Sequence, residues 1–484
     1  MHLVDKFLFF EEEYSLFAEK IMGFSFWHYV RFEVFFKIVR QRENYQIAHK
    51  SLSDEKPITV LLLFLKQLKF FVAKSSIWNL TKKEILIINH PRRVKNGEYY
   101  DCIYTDLFLA QTHHSYYVFE LPYEGRHFVP TRTENLRYLD RVYFATAIYH
   151  RIVRKMFGST LKPNDVKKIT EIANSINLEF GVNLQRDEFI KLVENSIIKH
   201  KSYLRYFERV LKKVKPKLIL EVVSYMNPNF AINQLAKEKG IPTVEIQHGT
   251  MGKYHIAYNF PKDVKIDSFP DYVFSFGQFW KDTTRLPIDP SRIKVVGWPY
   301  YEKKVESYKG SAPIDERKVI LFISQPTIGE ELSRLATKLN QILDQTKYRI
   351  IYKLHPSEFS NWKEKYPWLI EEDIDVADSA LHDVHHYLSS AFVQVGVSST
   401  ALFEGLGYGL NTAIFRAPFH EYMEELYQKG MACLVEDASQ LLAYINSCGK
   451  QIIYNSDYFW KSSSMNNFNE TIDSIISKGK LDNV

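Results

Sequence analysis

Cysteine is scarce in this chain: Cys102, Cys433 and Cys448 are all there are in 484 residues. They share no metal-ligand spacing, and three cannot all pair with one another. This excludes a disulfide scaffold and a zinc site and fits a reducing cytoplasm. Long apolar runs are also missing. The best near the start, Ile58 to Leu65, falls well short of the about 20 residues a bilayer span needs. Met1-His2-Leu3-Val4-Asp5-Lys6 leads to Glu11-Glu12-Glu13 with no basic stretch ahead of an apolar one, so no signal peptide is expected. Neither charge dominates: 63 Lys and Arg against 57 Asp and Glu leave a net charge of +6, too mild for a dedicated nucleic-acid binder. Walker, Gly-x-Gly-x-x-Gly, Gly-x-Ser-x-Gly and kinase signatures are absent, as are internal repeats and low-complexity tracts.

What remains is an ordinary globular mix, 45% hydrophobic and 25% charged, which excludes disordered and fibrous classes. At about 150 residues per domain the length implies roughly three domains or two large ones. Aromatics are abundant, with 34 Phe, 31 Tyr and 7 Trp. They either stack on sugars, bases or lipid, or simply fill cores, and the second reading is preferred.

Residues 1–80 form an aromatic-rich helical segment, with Phe7, Phe9, Phe10, Tyr14 and Phe17 and then Phe24, Phe26, Trp27, Tyr29, Phe32, Phe35 and Phe36 at roughly helical spacing. Lys66, Lys69 and Lys74 follow the apolar run, so an interfacial helix on a membrane is one reading. A helix packed on a domain is the preferred one. From 81 to 300 short apolar runs (Glu84 to His90, Tyr116 to Leu121, Lys217 to Val223, Pro242 to Ile246, Tyr272 to Phe276, Ile293 to Val296) alternate with helical stretches, the longest from about 139 to 213. A polar stretch, Tyr301 to Lys318, leads to a second alternating series over 301–440, and 441–484 reads as a C-terminal helical segment. Two such series imply two Rossmann-like parallel-sheet lobes facing a cleft.

Ligands of open α/β sheets bind at the carboxyl ends of strands, and four polar signatures sit there. Gly396-Val397-Ser398-Ser399-Thr400 opens a helix with spare N–H groups, hydroxyls and a positive dipole end, an anion site. Its plainer reading is an N-cap. Glu404, one turn on, is placed to reach a ribose hydroxyl. His355, held extended by Pro356, suits a donor to a phosphate oxygen, and Ser324-Gln325 ends a third strand. His248 precedes Gly249 and Thr250 and is a candidate general base, losing activity on protonation at about pH 6 to 7. Asp101, Asp106 and Glu245 are alternative bases. Arg92 and Asp106, with Gly249 and Thr250, are acceptor-side candidates. The adjacent pairs His113-His114 and His385-His386 do not have metal-ligand spacing and read as incidental.

His355-Pro356, followed by Ser398-Ser399-Thr400, resembles the motifs of bacterial GT-B capsule glycosyltransferases, the polysialyltransferases and related CMP-sugar enzymes. The resemblance spans about 215–420 and implies that His355, Ser398, Ser399 and Thr400 hold the nucleotide's phosphate. An acidic Asp/Glu-Asp/Glu-Gly triplet, the base of many sialyltransferases, is absent. His248-Gly249-Thr250 is similar to a motif of the CDP-glycerol glycerophosphotransferases, whose histidine acts as base. The expectation is a GT-B fold and a metal- and cofactor-independent transfer of sugar from a nucleotide-sugar, CMP-linked by preference, to a surface polysaccharide or glycolipid. A polyol-phosphate transferase and a non-catalytic glycan-binding scaffold are the alternatives. The expected place is the cytoplasm, peripheral on the inner face of the cell membrane, with no nucleic-acid partner.

Overall fold

The computed structural model describes residues 2–42, 77–123, 125–146, 158–310, 315–379, 381–449 and 455–479. The chain begins with two helices, α1 (Leu3–Glu13) and α2 (Trp27–Arg42). They bury Phe7, Phe10, Trp27 and Phe35 against two later helices, α3 (Pro163–Phe180) and α4 (Arg186–Val214). Each such side chain removed from water contributes about 1.5–3 kcal/mol. These four aromatics therefore form a packing face, while Phe9 and Tyr14 on the same segment are exposed. Lys66, Lys69, Lys74 and the Ile58–Leu65 run lie outside the described residues.

The first lobe is a seven-stranded parallel sheet: β1 (Ile85–Ile88), β2 (Tyr116–Glu120), β3 (Leu136–Tyr138), β4 (Leu218–Val222), β5 (Thr243–Ile246), β6 (Tyr272–Ser275) and β7 (Ile293–Val295). Its order is 3-2-1-4-5-6-7. Strands β1, β4 and β5 are buried along their whole length, which is why they read as unbroken apolar runs rather than alternating ones. α5 (Asn227–Glu238) crosses from β4 to β5.

The stretch expected to be a polar linker instead carries a helix, α6 (Pro299–Tyr308). Pro299 supplies an N1 proline, and Tyr301 anchors the helix by donating its hydroxyl to the Glu404 carbonyl at 2.8 Å. The second lobe follows: β8 (Lys318–Ile323), α7 (Gly329–Ile342), β9 (Tyr348–Lys353), β10 (Asp375–Ala377), β11 (Ala391–Gly396), α8 (Thr400–Gly407), β12 (Asn411–Phe415), β13 (Cys433–Val435) and α9 (Ala438–Ser447). The sheet order is 10-9-8-11-12-13, the first lobe's winding repeated. Two doubly wound parallel lobes face one another, the GT-B-like α/β architecture expected of the sequence.

After α9 the chain returns to the first lobe. Gly297, with φ of +88°, lets the crossing chain at Lys461 and Ser464 pass close by, where a Cβ would collide with both. α10 (Ser464–Lys478) then docks Phe468 against Phe108 and Phe274, with ring centroids 4.7 and 5.2 Å apart. The aromatics Trp280, Trp298, Phe403 and Trp460 form one core that joins the lobes. Among the described residues no helix is long and apolar enough to cross a membrane.

Candidate active site

In each sheet the strand order reverses between the first and fourth strands, and there the crossovers diverge to leave a crevice. In the second lobe that crevice lies beyond β8 and β11. Gln325, after β8, accepts the Ser398 N–H at 3.1 Å and approaches the Ser398 hydroxyl with its own amide at 3.3 Å. Two of the residues expected at the site are thus in direct contact across the switch point. Ser399 is the N-cap of α8, its hydroxyl accepting the Ala401 N–H at 3.3 Å. Thr400, the first helical residue, stays partly exposed at the helix's positive end.

His355 and Pro356 form a tight turn after β9. The imidazole Nδ1 accepts the Ser357 N–H at 3.2 Å and lies 2.8 Å from its hydroxyl, while Glu358 accepts the His355 N–H at 2.9 Å. With Nδ1 an acceptor, the neutral ring carries its proton on Nε2, so His355 is a hydrogen-bond donor. Burial lowers its pKa. Arg92 and Lys353 lower it further, against the pull of Glu358. Ser324 is buried beneath this turn, between the Tyr352 hydroxyl and Glu358 Oε1, each at 3.2 Å. It touches the turn's supporting carboxylate rather than the crevice surface.

Glu404 lies one turn into α8, buried, with Oε2 3.3 Å from His385 Nε2. Burial, then the Asp383 charge, pushes its pKa up to about 7, and burial takes His385 down to about 4. Near neutral pH His385 is therefore uncharged while Glu404 is about half ionised. His385 was expected to be incidental. The partner that gives it a role, Glu404, is carried on another helix and leaves no local spacing to read.

The first lobe offers the matching crevice beyond β1 and β4, with His248 after the adjoining β5. His248 Nδ1 is 3.1 Å from the Tyr258 hydroxyl, and Nε2 is 3.1 Å from the Tyr225 hydroxyl. Tyr258 donates its own proton to Glu245 Oε1 at 2.7 Å, so its oxygen must accept from Nδ1–H. That leaves the Nε2 lone pair pointing at Tyr225. Burial, then His90 and His255, hold the His248 pKa well below the usual histidine range.

His90 lies alongside, its ring stacked on His248 with centroids 6.1 Å apart. Its Nδ1 accepts the Arg92 N–H at 3.1 Å, the same turn that His355 makes in the other lobe. Arg92 is exposed, and its charge is felt at both His90 and His355. The Gln247 amide donates to the Gly249 carbonyl at 2.8 Å, and nothing lies within 4 Å of where a Gly249 Cβ would stand. The space beside Gly249 is open. Thr250 shares an interlobe pocket with Ser398, Phe403 and Lys253, so acceptor-side and donor-side candidates line one cavity. Lys253 Nζ and the Tyr254 hydroxyl both meet Glu424 of the second lobe.

The other candidate bases are engaged elsewhere. Asp106 accepts the Cys102 N–H at 2.7 Å and the Thr133 hydroxyl at 2.8 Å and pairs with Arg93 at 3.2 Å. Asp101 pairs with Arg132 at 2.9 Å. Glu245 is in the His248 cluster, one hydroxyl removed. Among the described residues one group could hold a metal: His113, His114 and Asp473. It precedes β2, at the end of the sheet opposite the strand termini that bear His248. Sequence reasoning did not single out Tyr225 or Tyr258. No motif marks them, since each meets His248 only through the fold.

No family model and no curated protein matches this chain. Among solved structures it is similar to the UDP-GlcNAc 2-epimerase of Methanocaldococcus jannaschii, with 13% identity and a TM-score of 0.49 over 82% of this chain and 100% of that one. A UDP-GlcNAc 2-epimerase of Neisseria meningitidis bound to UDP-GlcNAc gives 12% and 0.48, over 81% and 100%. The wall teichoic acid polymerase TagF, in a structure with CDPG, gives 11% and 0.41, over 88% and 98%. At such similarities, function must be read from the site's own residues.

Proposed function

We propose that this chain is a GT-B-type transferase that moves a sugar from a nucleotide-sugar donor to a hydroxyl of a surface polysaccharide or glycolipid. The observation that carries this reading is the run of contacts from Glu245 through the Tyr258 hydroxyl to His248 Nδ1, which with Glu245 ionised puts the histidine proton on Nδ1. A histidine with Nδ1–H turned to Tyr258 and Nε2 facing a hydroxyl that an acceptor hydroxyl can replace, that of Tyr225, has the form of a general base. The acceptor hydroxyl takes the place of Tyr225 at Nε2, gives up its proton there, and attacks the donor's anomeric carbon as the bond to the leaving phosphate breaks. Charge then develops on that phosphate. His355 Nε2–H and the N–H groups opening α8 stabilise it, and Glu404 receives the ribose hydroxyls. The proposed transfer uses neither a metal nor a cofactor.

The CMP-linked donor is the first to try, on the strength of the His-Pro and Ser-Ser-Thr motifs. A second reading is transfer of a polyol phosphate from a CDP-linked donor. It is favoured by the position of His248-Gly249-Thr250, since the run that resembles those enzymes also carries the base. Turnover with CMP-, CDP-, UDP- and GDP-linked donors tests both. Release of nucleotide from one class, dependent on His248, supports the reading and selects between the two. Tight nucleotide binding with no turnover on any donor and acceptor would leave a binding scaffold instead.

A further inference from the structure

Beneath His248 lies a pair of acids. Glu221 on β4 and Glu245 on β5 are register partners of parallel strands. Their side chains leave the sheet on one face, from backbones about 4.8 Å apart. Both are fully buried. Glu221 Oε1 accepts the Asn233 amide at 2.8 Å. Glu245 Oε1 accepts the Ser224 N–H at 3.0 Å and the Tyr258 hydroxyl at 2.7 Å. In each acid the other oxygen, Oε2, has no hydrogen-bond partner among the described residues. No Lys, Arg or His side chain among them bonds either acid. The remaining groups facing the pair are Asp271, Tyr225 and Tyr258, and Asp271 accepts both the N–H and the hydroxyl of Thr243 at 3.0 Å. Lys237, beside Asp271, gives its Nζ to the carbonyls of Ile266 and Phe269. Two adjacent buried carboxylates without a cation cannot both be ionised. Protonating one of them removes the like-charge conflict.

We propose that Glu221 is a positioning residue for His248: it carries this proton, donates it to Glu245 Oε2, and so keeps Glu245 ionised at the foot of Tyr258. The assignment within the pair follows from their partners. Burial raises the pKa of Glu245 as well, but Ser224 and Tyr258 both give it hydrogen bonds that favour its anion, whereas Glu221 has only Asn233. Burial and the Glu245 charge accordingly drive the Glu221 pKa well above the usual carboxyl range. The proposal rests on the reading of His248 as base, and it sets the direction of every bond in the chain. Glu221 O–H and Tyr258 O–H both point to Glu245, His248 Nδ1–H points to Tyr258, and Nε2 is left as acceptor. Without the Glu221 donor, Glu245 takes up a proton from solvent and gives it to Tyr258. Tyr258 then donates to Nδ1, and the histidine proton sits on Nε2, the wrong nitrogen for a base.

Histidine nitrogen NMR on the full chain reads the tautomer, with H248A assigning the signal. Wild type and E221Q, whose amide replaces the donor, are expected to show Nδ1–H, and E221M to show Nε2–H. The infrared spectrum of the wild type should contain a protonated-carboxyl band that E221Q lacks. E221Q should keep turnover within about threefold, while E221M should lose about 100-fold in kcat with KM unchanged. Absence of the infrared band, or Nδ1–H retained in E221M, overturns the proposal. If E221M does not fold, the band in wild type and its loss in E221Q still decide. Neither spectrum requires turnover, so failure to find a donor would count against the transferase reading and not against the shared proton.

Discussion

Glu245 and His248 are joined through one hydroxyl: Tyr258 Oη lies 2.7 Å from Glu245 Oε1 and 3.1 Å from His248 Nδ1. A carboxylate normally orients a catalytic histidine by direct contact. Here a tyrosine stands between, so the acid can stay buried in the sheet while the imidazole reaches the crevice. The phenol has one proton, and giving it to the acid fixes which nitrogen of the histidine is basic.

Replacing His248 with Ala should abolish transfer, by about 100- to 10,000-fold, yet leave nucleotide affinity within about twofold, since the donor phosphate sits in the other lobe. Calorimetric titration beside a turnover assay checks both. The sequence alone predicts loss of activity at about pH 6 to 7. Because burial lowers the His248 pKa, the neutral base should persist further into acid, and the acid limb of kcat/KM should lie below the range expected from the sequence.

His355→Ala should weaken nucleotide binding and also cost about 100- to 1000-fold in rate, the usual consequence of losing one donor to a developing oxyanion. Near-normal turnover in a folded variant would remove His355 from the site.

In Tyr258→Phe the histidine loses its orienting partner while its ring stays in place. We expect kcat to drop by about 10- to 100-fold with KM little changed. Stability should fall by about 1–3 kcal/mol, because buried Glu245 loses the Tyr258 hydroxyl. Urea titration gives the second number, steady-state kinetics the first.

Glu404 titrates at about 7, and only its carboxylate can accept two ribose hydroxyls. Nucleotide affinity should therefore tighten as pH rises through about 7. The same titration on E404Q should be flat over that range. A slope unchanged by the substitution would show another group to be responsible.

Arg31 and Glu11 form a buried ion pair at 2.7 Å, with both side chains almost inaccessible. Arg31→Met strands the carboxyl and should cost about 3–5 kcal/mol. Burial already holds the Glu11 pKa above its ordinary value against the opposing pull of Arg31, and losing the guanidinium raises it further. A carboxyl with a raised folded-state pKa contributes stability below its unfolded-state value and loses it as pH rises through the folded-state one. The deficit of the variant should thus shrink as pH is lowered from about 8 towards about 5, which thermal melts across that range would reveal.

The double parallel winding was legible because buried strands such as Ile85–Ile88 and Leu218–Val222 are unbroken apolar runs, and because polar residues follow them. His248, His355 and Ser398 could be placed at strand ends on that ground. Tyr225 and Tyr258 could not: each meets the histidine through a loop whose path only tertiary packing sets. The helix at Pro299–Tyr308 was hidden by its Lys and Glu content, since one tyrosine, Tyr301, does most of its anchoring. Ser324 shows the opposite failure. A hydroxyl at a strand end looks like a ligand contact, yet it turns under the surface to Glu358.

The guanidinium of Arg31 also reaches the carbonyls of Ile256, at 2.6 Å, and Asn259, at 3.0 Å, on either side of Tyr258. These partners lie 225 and 228 positions further along the chain. At about 5–20 residues per second, a ribosome delivers them roughly 10 to 45 s after Arg31 itself. Phe7, Phe10, Trp27 and Phe35 wait for the earlier part of that interval, until α3 and α4 supply the face they pack on, and closing the full loop to Ile256 and Asn259 costs about 5 kcal/mol in entropy. The first segment to be made is thus among the last to settle. A chaperone that holds nascent apolar helices should raise the yield of active protein, and slowing synthesis ahead of residue 260 should lower it.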